Sequence, residues 1–568
     1  MKRFKHLLPV LLLLMSLTAA IISCKKGGDD PTPTPTPAQP VTTITSISPA
    51  TAPVGSTIAI GGTNFGTSPT SNTVTIGGVV ATIVSVTDTQ IVVVVPTGAA
   101  NGPVSVTAGG QTAQSQSTFT VYVAPLKPVV EISGTTFANQ NWTRDKIYLL
   151  KGLVYIPADF TLTIEAGTVI KGAAPDQDPD KKNMAGTLII ERRAKIIAQG
   201  TASQPIVFTS AKAAGQRAYG DWGGLVLIGK AAMNTTSTAA LPGGVRGTVE
   251  RYAEFNDNSG TLRYVRIEYA GAAQPTGSAT RLSGLSLYGV GNSTVIDHVQ
   301  VSYSGSDSFA WFGGTANLKN LVAYRSFDDD WSADWGYVGN VQFGVAVRDP
   351  DVADQSGSNG LELENYDPTA TTDVTPVVLA NGLQQTAPVF ANLSSFGFGT
   401  TPTTNKSAKG TGAYLAGLYL RRNAAVAVYN SLLYGYPEGV SLGATGATPG
   451  VTNNTIDLQG IVLANVLTPV VGNGVLTSDL TTTYFTTSGR ANQIVQSSDL
   501  TALRLNNFNA TTPGFLPQSG SSLLTGAVTG GKLANSFFTP TTFRGAFGTD
   551  DWTTGWTNFF PQNTDYDR

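Results

Sequence analysis

Between Asp307 and Arg348 the sequence gathers residue types that hold cations, stack on sugars or move protons. Asp307, Asp328, Asp329, Asp330 and Asp334 offer carboxylates, Trp311, Trp331 and Trp335 offer flat apolar faces, and Arg325 and Arg348 offer guanidinium groups. Three readings fit this set. Aspartates in tight turns accept hydrogen bonds from nearby backbone N–H groups and need do nothing else. Aspartates brought together bind Ca2+, which takes roughly six to eight oxygens from carboxylates, carbonyls and water. Asp307, Asp330 and Asp334 would then hold the ion in a groove where the three indoles serve as stacking platforms for a sugar. The third reading is a catalytic carboxylate pair, since two carboxyls about 5–5.5 Å apart cleave glycosides with retention.

These side chains meet only if the elements beneath them stack. Residues 264–269 (Tyr-Val-Arg-Ile-Glu-Tyr), 298–303 (His-Val-Gln-Val-Ser-Tyr), 321–326 (Leu-Val-Ala-Tyr-Arg-Ser) and 344–349 (Gly-Val-Ala-Val-Arg-Asp) resemble one another. The last three keep a 23-residue spacing, with Asn317 falling on Asn340, and the first lies 34 residues earlier, as an insertion in one turn predicts. Within each run apolar residues alternate with polar ones, the period of a strand with one face in and one out. A repeat of this length suits one coil of a parallel β-helix, in which each coil buries its face on the next. A β-propeller would repeat nearer 40–50 residues. In that register Val299, Val322 and Val345 form a column, Asp307 falls on Asp330, Trp311 on Asp334 and Arg325 on Arg348. Coils lie about 4.8 Å apart, and like charges directly opposite repel. The carboxylates therefore need Ca2+, or Arg325 and Arg348, as compensation.

The N-terminus predicts export. Lys2, Arg3 and Lys5 precede an apolar run at 7–14, then small residues and Cys24, the single cysteine. This is the layout of a secretory leader, and 21–24 (Ile-Ile-Ser-Cys) resembles the bacterial lipobox, which implies a signal peptide over 1–23 and a lipid on Cys24. Residues 31–37 alternate Pro and Thr, a composition that stays extended, so 24–40 reads as an anchored stalk. The acidic pair Asp29-Asp30 resembles surface-export signals of Bacteroidetes lipoproteins. The expected site of action is the outer membrane, facing outward. Partners would be the membrane through the lipid and a polysaccharide or a host or neighbouring cell surface. Three of the 35 basic residues lie in the leader and none of the 37 acidic ones, so the processed chain carries a net charge near −5. That argues against nucleic acid as a partner. No Gly-x-Ser-x-Gly elbow, His/Glu zinc pattern or phosphate loop occurs, and the histidines are His6, in the leader, and His298.

Residues 41–123 hold short β-rich runs separated by turn signals, which predicts an antiparallel sandwich. Ile47-Ser48-Pro49, the Gly-Gly-Thr-Asn-Phe-Gly run at 61–66, Asp88-Thr89-Gln90-Ile91, Val95-Pro96 and Phe119 resemble an IPT/TIG domain, an immunoglobulin-like module. That resemblance implies a spacer or adhesive role. The body, 127–568, resembles right-handed β-helix lipoproteins common in Bacteroidetes and similar to leptospiral outer-membrane lipoproteins. The residues that carry this are 220–224 (Gly-Asp-Trp-Gly-Gly), 306–314, 328–336, 360–365 and the ending around 545–556. The expected chain is thus all-β, an immunoglobulin-like sandwich followed by a right-handed parallel β-helix. The resemblance implies a surface role, with non-catalytic binding or adhesion, including to glycans, as the favoured function. A looser likeness to the pectin-lyase superfamily keeps a Ca2+-dependent polysaccharide lyase or glycoside hydrolase as the alternative. Pectate lyases pair Ca2+ with an arginine base, a part Arg325 would take, but the Gly-His-Gly of polygalacturonases is absent.

Overall fold

In a computed structural model the chain divides into two units, up to Pro125 and from Leu126. The structure describes residues 41–568 apart from 235–239, 250–252, 276–279, 366–383, 407–411, 443–447, 473–478 and 511. The leader, Cys24 and the Pro/Thr stretch lie outside the described residues. Among the described residues no helix is long and apolar enough to cross a membrane.

The first unit is a sandwich of two sheets. Thr43–Ser48, Thr57–Thr63, Gln90–Val94 and Thr82–Thr87 form one; Thr51–Ala52, Gln111–Val121, Gly102–Ala108, Asn72–Ile76 and Val79–Val80 form the other. Alternation places Ile58, Ile60, Ile91 and Val93 of one sheet and Val74, Ile76, Val104 and Val106 of the other in a shared core, closed by Phe65 and Phe119.

The second unit is a parallel β-helix, with 26 strands among the described residues. Each coil in its middle has a short strand on a first face, then a longer strand that bends onto two more. Leu285–Tyr288, Phe309–Phe312, Trp331–Asp334, Leu361–Leu363 and Ala416–Leu420 stack on the first face. Gly260–Glu268, Val295–Ser302, Asn317–Tyr324, Asn340–Val347 and Val389–Phe396 stack as the long strands. Each long strand bends at a residue with positive φ: Tyr264, His298, Asn320, Phe343 and Asn392, all between 49° and 62°. Asparagine tolerates this left-handed geometry better than tyrosine, histidine or phenylalanine, so the surrounding stack dictates the bend. His298 is one of these corner residues.

The stack also corrects the expected register. Leu318 pairs with Val341, 23 residues on, and Asn340 N–H donates to Asn317 Oδ1 across the same interval. One coil earlier the step is 22: Val299 pairs with Leu321, not Val322, and Phe309 with Trp331. Val322 and Val345 are neighbours, but Val299 stands in a different column. Both sides of these strands are apolar, which hides the slip. Val299, Val301 and Leu321 face the interior. Val322, Tyr324, Val345 and Val347 face outward and are buried only because the C-terminal segment lies across them. That segment runs back along the helix. Gly545 N–H donates to Asn430 O, Asn558 N–H to Gln300 Oε1, Tyr566 Oη to Glu268 Oε1 and Lys127 N–H to Asp567 O.

Candidate functional site

At the turn that leads into the first face, side-chain oxygens tie each coil to the next. Ser283 Oγ donates to Asp307 Oδ2 (3.1 Å), and Asp329 N–H donates to Asp307 Oδ1 (3.3 Å). Asn359 donates its N–H (2.6 Å) and its Nδ2 (3.1 Å) to Asp329 Oδ1, and Ala416 N–H donates to Asn359 Oδ1 (3.1 Å). The 22-residue step therefore sets Asp307 over Asp329. The expected Asp307–Asp330 stack does not form. Asp328, at the same turn, completes a cluster in which Asp307, Asp328 and Asp329 each present an oxygen within 4.8 Å of the others. Glu362 joins its edge. It projects outward between Ser332 and Tyr419 of the neighbouring strands, accepts from Asn359 Nδ2 (3.2 Å) and is held by Arg421 Nη1 (2.7 Å).

The other expected members are elsewhere. Asp330 turns into the coil interior, where it receives a hydrogen bond from Ser326 Oγ (2.7 Å) and pairs with Arg348 Nη1 (3.2 Å), both side chains being wholly buried. Arg348 also donates to Asn359 O (2.7 Å) and Asp328 O (2.5 Å) and lies over the Tyr414 ring. Asp334 ends the strand that Asp330 precedes, accepts from Trp335 N–H, and stacks with Phe312 rather than Trp311. The triad Asp307, Asp330 and Asp334 is thus not assembled as a metal site. Arg325 follows its strand in register with Arg348, but its head pairs with Asp349 (3.4 Å) on the flank, where Tyr219 Oη also donates to Asp349. Trp311 and Trp331 are core residues, 1% and 0% exposed, so neither offers a face to a sugar. Trp335 packs against Phe312 and Tyr288 in a separate buried cluster.

Sequence reasoning missed Asn359, Glu362 and Arg421. Asn359 occupies the position equivalent to Asp329 after a longer coil of 30 residues, an interval that the constant 23-residue spacing could not reach. Glu362 carries the alternation signal, a charged residue between Leu361 and Leu363, both of which are buried.

The carboxyls of this cluster are strongly perturbed. Burial, reinforced by Glu362, pushes the Asp307 carboxyl up to about 7. Burial raises Asp328 and Asp329 well above the carboxylate range as well, and like charge from Asp307 and Glu362 adds to it in both. Burial also raises Asp330, to about 6, although Arg348 opposes the shift. A carboxyl whose folded value exceeds its unfolded one keeps a proton that the unfolded chain has released. Stability conferred in this way is present at low pH and is lost as pH rises from about 4 to about 7. We expect the melting temperature in chelator to fall across that window. A melting temperature that rises over the same interval would contradict these assignments.

Comparison with known proteins bears on the fold. The Pectate-lyase-like beta helix domain family matches residues 134–510, more than half of the chain. The chain belongs to this family. The IPT/TIG domain family matches residues 42–121, so the immunoglobulin-like sandwich and the β-helix both stand. No curated protein matches the chain. Among solved structures, an auxiliary nutrient binding protein from Bacteroides thetaiotaomicron is 22% identical, over 15% of this chain and 21% of its own, with a TM-score of 0.14. Another protein so described, from Bacteroides ovatus, is 21% identical over 17% and 25%, with a TM-score of 0.15. The chain spans about a fifth to a quarter of the length of these two proteins.

Proposed function

We propose that this member of the pectate-lyase-like β-helix family is a non-catalytic binding protein of the cell surface. It is lipidated at Cys24, held off the outer membrane by the Pro/Thr stalk and IPT/TIG domain, and presents its β-helix to glycans. One observation favours binding over lysis. Three arginines around the carboxylate cluster are fixed to acids, Arg325 to Asp349, Arg348 to Asp330 and Arg421 to Glu362, while Arg281 at the same turn is held by the Gly305 carbonyl (3.1 Å). A guanidinium held by a carboxylate keeps its proton more firmly, the opposite of what a lyase base requires. The indoles that would have gripped a substrate are inside the coil or capped. The surface left at the cluster is polar, formed by Ser306, Asp307, Ser332, Glu362 and Tyr419, all of intermediate exposure.

Glycoside hydrolysis is kept as a second reading by the Asp307 carboxyl, whose value near neutrality is what a general acid needs. One experiment separates the two. The purified chain is run through affinity electrophoresis in neutral and acidic polysaccharides, and the same mixtures are assayed for new reducing ends and unsaturated uronides. Retardation without products is expected. Products that disappear with Asp307→Asn would establish the enzyme, and absence of both retardation and products would reject glycan binding. Lipidation is tested separately: Cys24→Ser should move the protein from the membrane fraction to the soluble one and abolish palmitate labelling.

A further inference from the structure

The clustered carboxylates carry more charge than their surroundings neutralise. Arg348 reaches this turn from inside, but its ion pair is with Asp330, and Asp328 receives it only at the backbone carbonyl. Arg421 is taken by Glu362. Asn359 Nδ2 donates both to Asp329 Oδ1 (3.1 Å) and to Glu362 Oε2 (3.2 Å), so these two carboxylates meet at one neutral amide. A second observation is independent of this crowding. Asp328 Oδ1 is sealed from solvent and has no hydrogen-bond partner, although buried polar atoms are nearly always paired. Asp328 presents one of its oxygens within 4.8 Å of oxygens from both Asp307 and Asp329. A carboxylate with an enclosed, unpartnered oxygen, set against two others, is the environment of a cation ligand.

We propose that Asp307, Asp328 and Asp329 bind one Ca2+ ion, with Glu362 at its margin. The donors are oxygens alone, and neither cysteine nor histidine lies in the cluster, which selects a hard cation over zinc or copper. Size selects Ca2+ over Mg2+. Backbone N–H groups pin Asp307 Oδ1 and Asp329 Oδ1 to successive coils, so the cluster cannot contract freely. Two oxygens each about 2.4 Å from a bound Ca2+ span up to about 4.8 Å, the spacing of the coils themselves, whereas Mg2+ at about 2.1 Å needs a tighter octahedron. The ion would clamp two coils at the turn that feeds the first face, whichever ligand the surface takes.

The full chain is stripped with chelator and titrated with CaCl2 and with MgCl2, by calorimetry and by thermal unfolding. Expected are one Ca2+ per chain, a rise in melting temperature with Ca2+ and a much smaller rise with Mg2+. Asp328→Asn should weaken Ca2+ binding roughly ten- to hundredfold, while melting in chelator at an equal or higher temperature than the wild type because one repulsive charge is gone. Asp551→Asn, on the C-terminal segment, should leave binding unchanged. Should Asp328→Asn fail to fold, Tb3+ luminescence excited through tryptophan in the wild-type chain replaces it, with displacement by Ca2+ expected. No Ca2+ binding at millimolar concentration, binding retained in Asp328→Asn, or no Tb3+ signal that Ca2+ displaces would overturn the proposal.

Discussion

Replacing Arg348 by methionine should destabilise the β-helix by about 3–5 kcal/mol, because it leaves Asp330 inside the coil without its partner, to be charged alone or to take up a proton. Both side chains of this pair are wholly enclosed. The guanidinium also satisfies Asn359 O and Asp328 O, so its removal strands two carbonyls along with the carboxylate. Adding Asp330→Leu to Arg348→Met should recover much of the loss, since an apolar pair of similar volume costs little in such a place. All seven tryptophans lie beyond residue 125, so their fluorescence in a urea titration follows the β-helix and not the sandwich. A loss below about 1 kcal/mol for the single change would mean that the pair is reached by water and is not the interior clamp described.

Truncation after residue 520 should be the more drastic change. The segment 521–568 contributes Leu523, Ala546, Phe547 and Trp556 to a cluster that covers Val322, Tyr324, Val345, Phe396 and Leu432. It also supplies the Tyr566 hydroxyl that donates to the fully buried Glu268 (2.7 Å). Without it a long apolar row faces water and Glu268 loses a partner in the interior. We expect the truncated chain to aggregate or bind a hydrophobic dye strongly, with no cooperative unfolding transition. Trp556→Ala, a local version of the same change, should cost about 3–5 kcal/mol. A soluble truncated chain that unfolds cooperatively near the wild-type midpoint would show that the segment is an ornament.

Both predictions depend on features the sequence half disclosed. The coil repeat was legible because Val322, Tyr324, Val345 and Val347 keep their alternation over a 23-residue step, and the 34-residue interval between residues 264 and 298 is real, as Val265 pairs with Val299. The one-residue slip at the preceding coil was not legible. Alternation marks a strand's inner face only when the outer face is polar, and here Val322 and Val345 are apolar outward residues whose cover lies some 200 positions away. The same slip explains the site. Asp307, Asp328 and Asp329 were visible as candidates, but the 23-residue register joined Asp307 to Asp330, which is the interior partner of Arg348. Asn359 and Glu362 were obscured by the variable length of the later coils.

The register that places Asp307 on Asp329 is tested directly by paired cysteines. Asp297 and Lys319 are neighbours on adjacent coils in the observed pairing, while a 23-residue step would join Asp297 to Asn320. Adjacent strands about 4.8 Å apart fall within disulfide range. In a background lacking Cys24, Asp297→Cys with Lys319→Cys should oxidise readily to a disulfide detected by mass spectrometry, and Asp297→Cys with Asn320→Cys should not. Rapid closure of the second pair and failure of the first would return Asp307 to Asp330 and remove the carboxylate cluster.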